Sequence, residues 1–427
     1  MRVLLISANT EQINMPVLPV GLACVAAAAE QAGHAVRLVN LMTKENSLDL
    51  LEAAIQDFQP EAVGISVRNI DDQSMQTPRF LLDPVKEVVT CCRKLSQAPI
   101  VLGGAGFSIF PQSALAYLGA DMGIRGEGEQ AFVMLIERLA KKLDLSGVPG
   151  LILPEGRLAG ETKRISKLDD CPLPVPNGAL AFPQTFNDQT VWLPFQTRRG
   201  CPMACSYCST ATIEGQALRK RSPDLVVESI SQFAKAGFTH FFFVDNTFNL
   251  PPSYARALCD RIIARGLDIT WRGILYPWRV DEKLVAKMAR AGCVEVAFGF
   301  ESGSQAILKS MNKRFQPEEV RAIAAMLKKH GIGRMGFLLL GGPGETRQTV
   351  SESLVFADSL DLEAMKVTVG IRIYPHTALA RIASREGMIQ PGQDLLLPTF
   401  YLASGLQGWL RETVQDWVSK RPHWHSG

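Results

Sequence analysis

Three cysteines fall within eight residues of a 427-residue chain: Cys201, Cys205 and Cys208, in Arg199-Gly200-Cys201-Pro202-Met203-Ala204-Cys205-Ser206-Tyr207-Cys208. Thiolates bind the irons of iron–sulfur clusters well. Three of them can hold only three irons of a four-iron cube, so the fourth iron is left open to bind something else. Zinc prefers four ligands, commonly from paired CxxC motifs. Neither a second pair nor a nearby His completes such a site here. A single Cys is often just buried. Three at this spacing, in a loop with Gly, Pro and Ser, point to chemistry instead.

CxxxCxxC with an aromatic residue, Tyr207, just before the last Cys resembles the signature of the radical S-adenosylmethionine (SAM) superfamily. The resemblance implies a [4Fe–4S] cluster on Cys201, Cys205 and Cys208, with the open iron chelated by the amino and carboxylate groups of SAM. An electron from the cluster then cleaves SAM to methionine and a 5′-deoxyadenosyl radical, which takes hydrogen from substrate. An electron donor such as flavodoxin or ferredoxin is implied as partner.

Other strand ends match the family in order over about residues 193–380. Asp245 and Asn246, in Val244-Asp245-Asn246-Thr247-Phe248, are expected to offer acceptors to the SAM ammonium, with a helix cap as the alternative. Glu301 and Ser302, in Phe298-Gly299-Phe300-Glu301-Ser302-Gly303, resemble the segment beside the SAM ribose. Glu301 would accept from ribose hydroxyls or from a polar neighbour. Gly341 and Gly342 would let the backbone approach adenine closely. They are not a phosphate loop, because the required Lys-Ser/Thr pair is missing. Arg372, in Gly370-Ile371-Arg372-Ile373-Tyr374, is expected either to pair with the SAM carboxylate or to serve as an ordinary ion-pair partner.

The elements that position these loops alternate strand and helix. Strand-like runs at Val3–Ser7, Ala35–Leu41, Ala62–Val67, Ile100–Gly104 and Met122–Arg125, with helical patterns at 18–32, 48–58, 80–96 and 111–118 between them, predict a doubly wound parallel sheet over 1–146. Residues 147–192 read as a Pro-rich linker, with a small hairpin around Gly150–Leu158. Strands at 193–198, 239–245, 268–275, 293–300, 333–341 and 366–374 predict a partial (β/α)6 barrel of the TIM type over 193–389, with its chemistry at the carboxyl ends of the strands. Residues 390–427 are expected to be a helical tail, with an amphipathic helix over 408–420 and with His423 and His425 disordered. Its tryptophans read as core packing or as a cap over an apolar substrate.

The first sheet lies where cobalamin-binding domains lie in one large radical SAM subclass. The resemblance rests on Met15–Leu22 after the first strand, Ser66 and Asn69 at the end of the third, Gly103 and Gly104 at the end of the fourth, and Gly126 and Glu127 at the end of the fifth. Small residues there would let the cofactor's nucleotide tail slide between strands. Ser66 is expected to meet the tail's base, and Asn69 and Asp71 the corrin amides. The loop Ser7–Leu18 carries no His, so cobalt would lack a His ligand from it. No Gly-x-Gly-x-x-Gly follows the first strand, which argues against a dinucleotide.

Composition narrows the remaining classes. Hydrophobic residues are 47%, charged residues 20%, and net charge is +3. That charge is too mild for nucleic acid. The start lacks a signal-peptide pattern and no apolar run is long enough to span a bilayer, so a cytoplasmic protein is expected. Nine Cys, an odd count, argue against a disulfide framework. With both cofactors, the implied reaction is C-methylation of an unactivated carbon through the 5′-deoxyadenosyl radical and methylcobalamin, on a small-molecule, lipid or peptide substrate. The alternatives are a cyclase or rearrangement enzyme of the same subclass, and a non-catalytic cobalamin or iron–sulfur sensor. A methylthiotransferase would need three further Cys at strand ends of the first domain, where the first strand instead ends in Ser7.

Overall fold

The computed structural model describes residues 1–11, 18–43, 47–176, 185–186 and 189–426. Part of the Met15–Leu22 resemblance, residues 15–17, lies outside the described residues.

The first sheet is built from β1 (Arg2–Ser7), β2 (Ala35–Asn40), β3 (Ala62–Ser66), β4 (Ile100–Gly103), β5 (Met122–Ile124) and β6 (Leu151–Ile152), in the order β2-β1-β3-β4-β5-β6. The first five are parallel and β6 is antiparallel to β5. The near-continuous apolar runs of β1, β3 and β4 follow from this: helices cover both faces, so both faces are buried. The sheet therefore extends past the boundary expected at 146. The hairpin expected at Gly150–Leu158 supplies its edge strand, closed by a bridge between Ile152 and Leu158. Two helices were not anticipated, Ala105–Ile109 and Gly128–Ala140. The second packs on the opening helix Val20–Gln31.

The second sheet contains β7 (Leu193–Phe195), β8 (His240–Phe243), β9 (Thr270–Leu275), β10 (Cys293–Glu301), β11 (Gly333–Leu340), β12 (Ala364–Val369) and β13 (Trp424–Ser426), all parallel and in sequence order. Some of the helices between them start at side-chain caps. The Asp281 side chain accepts from the Leu284 N–H, and Gln316 and Glu319 form a capping box.

Two expectations change here. The tail is not only helical: after the helix Trp409–Ser419, Trp424–Ser426 adds a seventh strand beside β12. A tilted ring contact of Trp424 with Trp417 (centroids 4.9 Å apart) and a two-pronged ion pair from Arg421 to Asp358 (2.7 Å each) hold this segment, so His423 and His425 flank and join a strand instead of fraying. The sixth barrel strand also stops earlier than 374, at Val369. Gly370 (φ 77°) turns the chain, and Ile371–Arg372 pairs antiparallel with Phe400–Tyr401. A Cβ at Gly370 would lie 2.2 Å from the Met75 sulfur, so glycine lets this turn pack closely under the first domain's 68–81 loop.

Candidate active site

The cysteine loop is fixed at both ends. Arg198–Arg199 pairs antiparallel with Arg219–Lys220 and closes the loop at its base. Gly200 (φ 91°) packs against the Ala217 carbonyl oxygen, which a Cβ would approach to 2.1 Å. Its N–H donates to Glu214 (3.0 Å), and the Cys201 N–H donates to the Gly215 carbonyl (3.0 Å). Farther along, the Ser206 N–H donates to Met311 O (3.0 Å), and Asn312 Nδ2 donates to Ala204 O (2.7 Å).

Cys201 is buried, Cys205 half-buried and Cys208 exposed, so the thiols grade from the interior to an open side. Burial pushes the Cys201 thiol up to about 11, and the nearby Cys208 and Cys205 add to that rise. Burial also raises Cys205, against the charge of Lys313. Among the described residues no three His, Cys, Asp or Glu side chains converge on a single metal ion. A cube takes its cysteines on separate irons, so its ligands need not converge on one point. The three thiols in one pinned loop fit a cluster.

Behind Cys205 lies a buried polar network. Tyr207 Oη donates to Glu301 Oε1 (2.8 Å), and Lys313 Nζ donates to both Tyr207 Oη (2.9 Å) and Glu301 Oε1 (3.1 Å). Burial depresses the lysine ammonium, but Glu301, Tyr207 and Cys205 together more than offset this and hold it well above its ordinary range. Of the two partners expected for Glu301, the structure supplies the polar neighbour. Tyr207 is tied to that network.

Several expected SAM contacts are already engaged. Asp245, fully buried, accepts from Thr197 N (2.8 Å), Thr197 Oγ1 (2.6 Å) and Arg198 N (3.1 Å), and pairs with Arg198 Nε (3.2 Å). It organises the cysteine loop's base and leaves no lone pair facing a ligand. Ser302 is also buried and shares a hydrogen bond with Ser353 Oγ (2.8 Å). Arg372 pairs with Asp71 (2.7 Å) and donates to four carbonyl oxygens, those of Ile373, Thr399, Leu395 and Leu396. Neither Arg372 for the SAM carboxylate nor Asp71 for corrin is available, because each satisfies the other. The N–H groups of Gly341 and Gly342 both donate to the Glu345 carboxylate. The space beside them is taken by Leu402 and Met311, and Gly341 (φ 98°) also needs the backbone freedom of glycine. Asn246 differs. It is half-buried, donates to Glu214 (2.8 Å), and its side chain lines a cavity.

That cavity, about 470 Å³, lies between the carboxyl ends of the first sheet and the cysteine loop. Ser66, Gly103, Gly104 and Gly126 line it from one side, and Gln196, Thr210, Glu214 and Asn246 from the other. Its size is that of a cofactor or ligand site. A Cβ at Gly21 would meet nothing within 4 Å, and one at Gly103 only the Ile124 carbonyl at 3.9 Å, so small residues keep open space there. Gly104 (φ 99°) is demanded by the chain, since its Cβ would sit 2.6 Å from Val67 O. This cradle fits an elongated cofactor tail. Glu127 also lines the cavity, but its carboxylate accepts from the Ile165 N–H (2.6 Å) and pairs with Arg219 (2.5 Å). Asn69 lines a smaller adjoining cavity with Arg68, which reaches its Oδ1 (3.4 Å).

Sequence reading passed over four residues that build this region: Glu129, Arg199, Glu214 and Lys313. Glu129, on the first domain, pairs with Arg199, two residues before Cys201. Burial pushes the Glu129 carboxyl up, but the Arg199 charge and hydrogen bond outweigh it and hold the carboxyl below its ordinary range. Burial raises the Glu214 carboxyl, which the Gly200 N–H partly offsets. Proximity to the cysteine triplet was the available signal for Arg199 and Glu214. Glu129 stood in the strand-end segment Gly126-Glu127-Gly128-Glu129, but its partner lies 70 residues away.

Comparisons with known proteins agree with this geometry. Residues 196–357 match the family model of the radical SAM superfamily, and residues 6–136 match that of the B12-binding domain. An uncharacterized methyltransferase of Pyrococcus horikoshii is 28% identical over 436 residues, covering 100% of this chain and 89% of that protein. The tryptophan 2-C-methyltransferase of Streptomyces laurentii is 24% identical over 88% of this chain and 74% of its own length. Among solved structures, the radical SAM methyltransferase TsrM from Kitasatospora setae, bound to tryptophan and a SAM analogue, superposes with a TM-score of 0.85. It is 21% identical, covering 98% of this chain and 88% of that one. The cobalamin-dependent enzyme OxsB, with aqua-cobalamin and SAM bound, gives 0.77 at 16% identity over 98% and 66%. Among the described residues no helix is long and apolar enough to cross a membrane. With a B12-binding domain set before a radical SAM domain, the chain is a radical SAM enzyme of the cobalamin-binding subclass and uses a [4Fe–4S] cluster, SAM and cobalamin.

Proposed function

We propose that the chain is a C-methyltransferase acting on an unactivated carbon, with the cluster on Cys201, Cys205 and Cys208 and cobalamin in the cavity beside Ser66, Gly103 and Gly104. The observation that carries this reading is the shared wall. Residues just after the cysteine loop, Thr210 and Glu214, line the same cavity as the glycine ends of β4 and β5. When bound, the cluster with SAM supplies a 5′-deoxyadenosyl radical and cobalamin supplies a methyl group.

The chain's own residues position and enclose. The Glu214 carboxylate receives the Gly200 and Asn246 donors and so sets where the cysteine loop meets the cavity. The Asn246 amide oxygen is the acceptor for the SAM ammonium in place of Asp245. Lys313 and Tyr207 fix Glu301 at the mouth of β10 and exclude water there. The unit from β1 through the β6 hairpin, 1–158, and the unit from β7 to β13, 193–426, act as cobalamin and radical domains, and a flavodoxin or ferredoxin supplies the electron.

Anaerobic purification with cobalamin, followed by a visible spectrum, iron count and product mass, tests the reading. Cluster and corrin absorption with a product one methyl heavier supports it. A product with a new ring and no added carbon would assign a cyclase. An intact cluster without any SAM cleavage would assign a sensor.

A further inference from the structure

The barrel holds room that the cofactor-related residues do not account for. Along β9 to β12 the helix-facing side chains are buried, while those alternating with them stay half-exposed: Arg272 and Glu295, paired at 3.4 Å, toward the amino ends, then Ile274, Ala297, Met335, Phe337, Leu339, Lys366 and Thr368 farther along. In a closed (β/α)8 barrel, inward side chains fill the interior in layers. Half-exposure in the middle of central strands therefore marks an open lumen, and its lining past the Arg272–Glu295 pair is apolar except for Lys366 and its strand neighbour Thr368.

Lys366 sits opposite Phe337 in the β11–β12 register. Its neighbours along the strand, Met365 and Val367, point the other way into the core under the helices. Among the described residues it makes no ion pair or side-chain hydrogen bond. One acid reaches it by charge, Asp72 on the 68–81 loop of the first domain. Asp72 is already engaged: it pairs with Arg79 (3.1 Å) and accepts from the backbone N–H groups of Ser74 (3.1 Å) and Arg79 (3.2 Å). Burial depresses the Lys366 ammonium below its ordinary range, as expected of a cation whose water has been removed without a full counter-charge.

An ammonium on an apolar wall is costly unless something anionic completes it. We propose that Lys366 anchors the substrate: the methyl acceptor carries a carboxylate-type anion that meets Lys366, and an apolar body that lies along Phe337, Leu339 and Ala297. This rests on the methyltransferase reading, because it gives the lumen to the methyl acceptor. Lysine is a point charge on a flexible stem, so it selects for negative charge without demanding a two-pronged geometry.

The test is equilibrium dialysis of holoenzyme, loaded with cluster, SAM and cobalamin, against two pairs of probes: indole acetic acid and its neutral amide, and naphthoate and naphthamide. Each acid is expected to bind about tenfold tighter than its amide, a difference of about 1.4 kcal/mol. Lys366→Met should erase the difference and Lys366→Arg should keep most of it. Equal binding of acid and amide, no binding of any probe, or discrimination that survives Lys366→Met would overturn the proposal. Cofactor loading is read first from the visible spectrum. A chain that takes up no cluster or corrin fails the proposed function and this inference with it. A loaded chain blind to charge fails this inference alone.

Discussion

Arg372 and Asp71, 301 residues apart, form a buried ion pair at 2.7 Å that ties the first domain's 68–81 loop to the turn after the sixth barrel strand. Side-chain exposure is 3% and 1%. Four carbonyl oxygens complete the guanidinium's donors, and the Gln73 N–H donates to Asp71 (3.0 Å). The pair closes the face where the two sheets meet.

Removing one member of such a pair leaves the other buried and uncompensated. Asp71→Ala should lower stability by about 3–5 kcal/mol. Chemical denaturation of the variant beside the parent chain measures this. A loss under about 1 kcal/mol would show the pair to be water-filled and peripheral.

Cys201→Ala, Cys205→Ala and Cys208→Ala should each lose cluster-dependent SAM cleavage and most of the reconstituted iron. Counting iron and 5′-deoxyadenosine checks both. Full cleavage in any one of the three would remove that cysteine from the ligand set.

Gly21 faces the cavity with no atom within 4 Å of where its Cβ would be, and it lies in the helix Val20–Gln31. Gly21→Leu should therefore hold or slightly raise the melting temperature, since glycine is a poor helix former. The same leucine would occupy the space given to cobalamin, so corrin retained after gel filtration should fall at least tenfold. Unchanged retention would place the cofactor elsewhere.

Burial pushes the Glu345 carboxyl up to about 7, against the donors of Gly341 and Gly342. The folded chain thus holds this proton more tightly than the unfolded chain does, so the associated stability is lost as pH rises from about 4.5 through about 7. The loss amounts to roughly 3 kcal/mol at most. Glu345→Gln keeps an oxygen for the two glycine N–H groups and cannot ionise. Its melting temperature should exceed that of the parent at pH 8, with the gap closing toward pH 5. A gap independent of pH would mean that Glu345 is ionised throughout.

Much of the fold was legible because it is written in local periods. Apolar runs such as Val3–Ile6 and Ile100–Leu102 announce strands buried on both faces, and helices between them leave few topologies open. The cysteine triplet was legible for the same reason: three ligands in one loop need no distant partner to be recognised. Trp424–Ser426 was not legible, since a three-residue strand is made by its neighbour Met365–Val367 and not by its own pattern.

The sequence by itself determined which residue types sit at the strand ends, and with them the cofactors. Only the tertiary structure decided which of those side chains are still available. Asp245, Ser302, Glu127 and Arg372 each looked free to meet a ligand, and each is bound by a partner from 38 to 301 residues away. A buried polar group must be satisfied by something, and in a folded chain that something is chosen by proximity in space, which sequence order does not record.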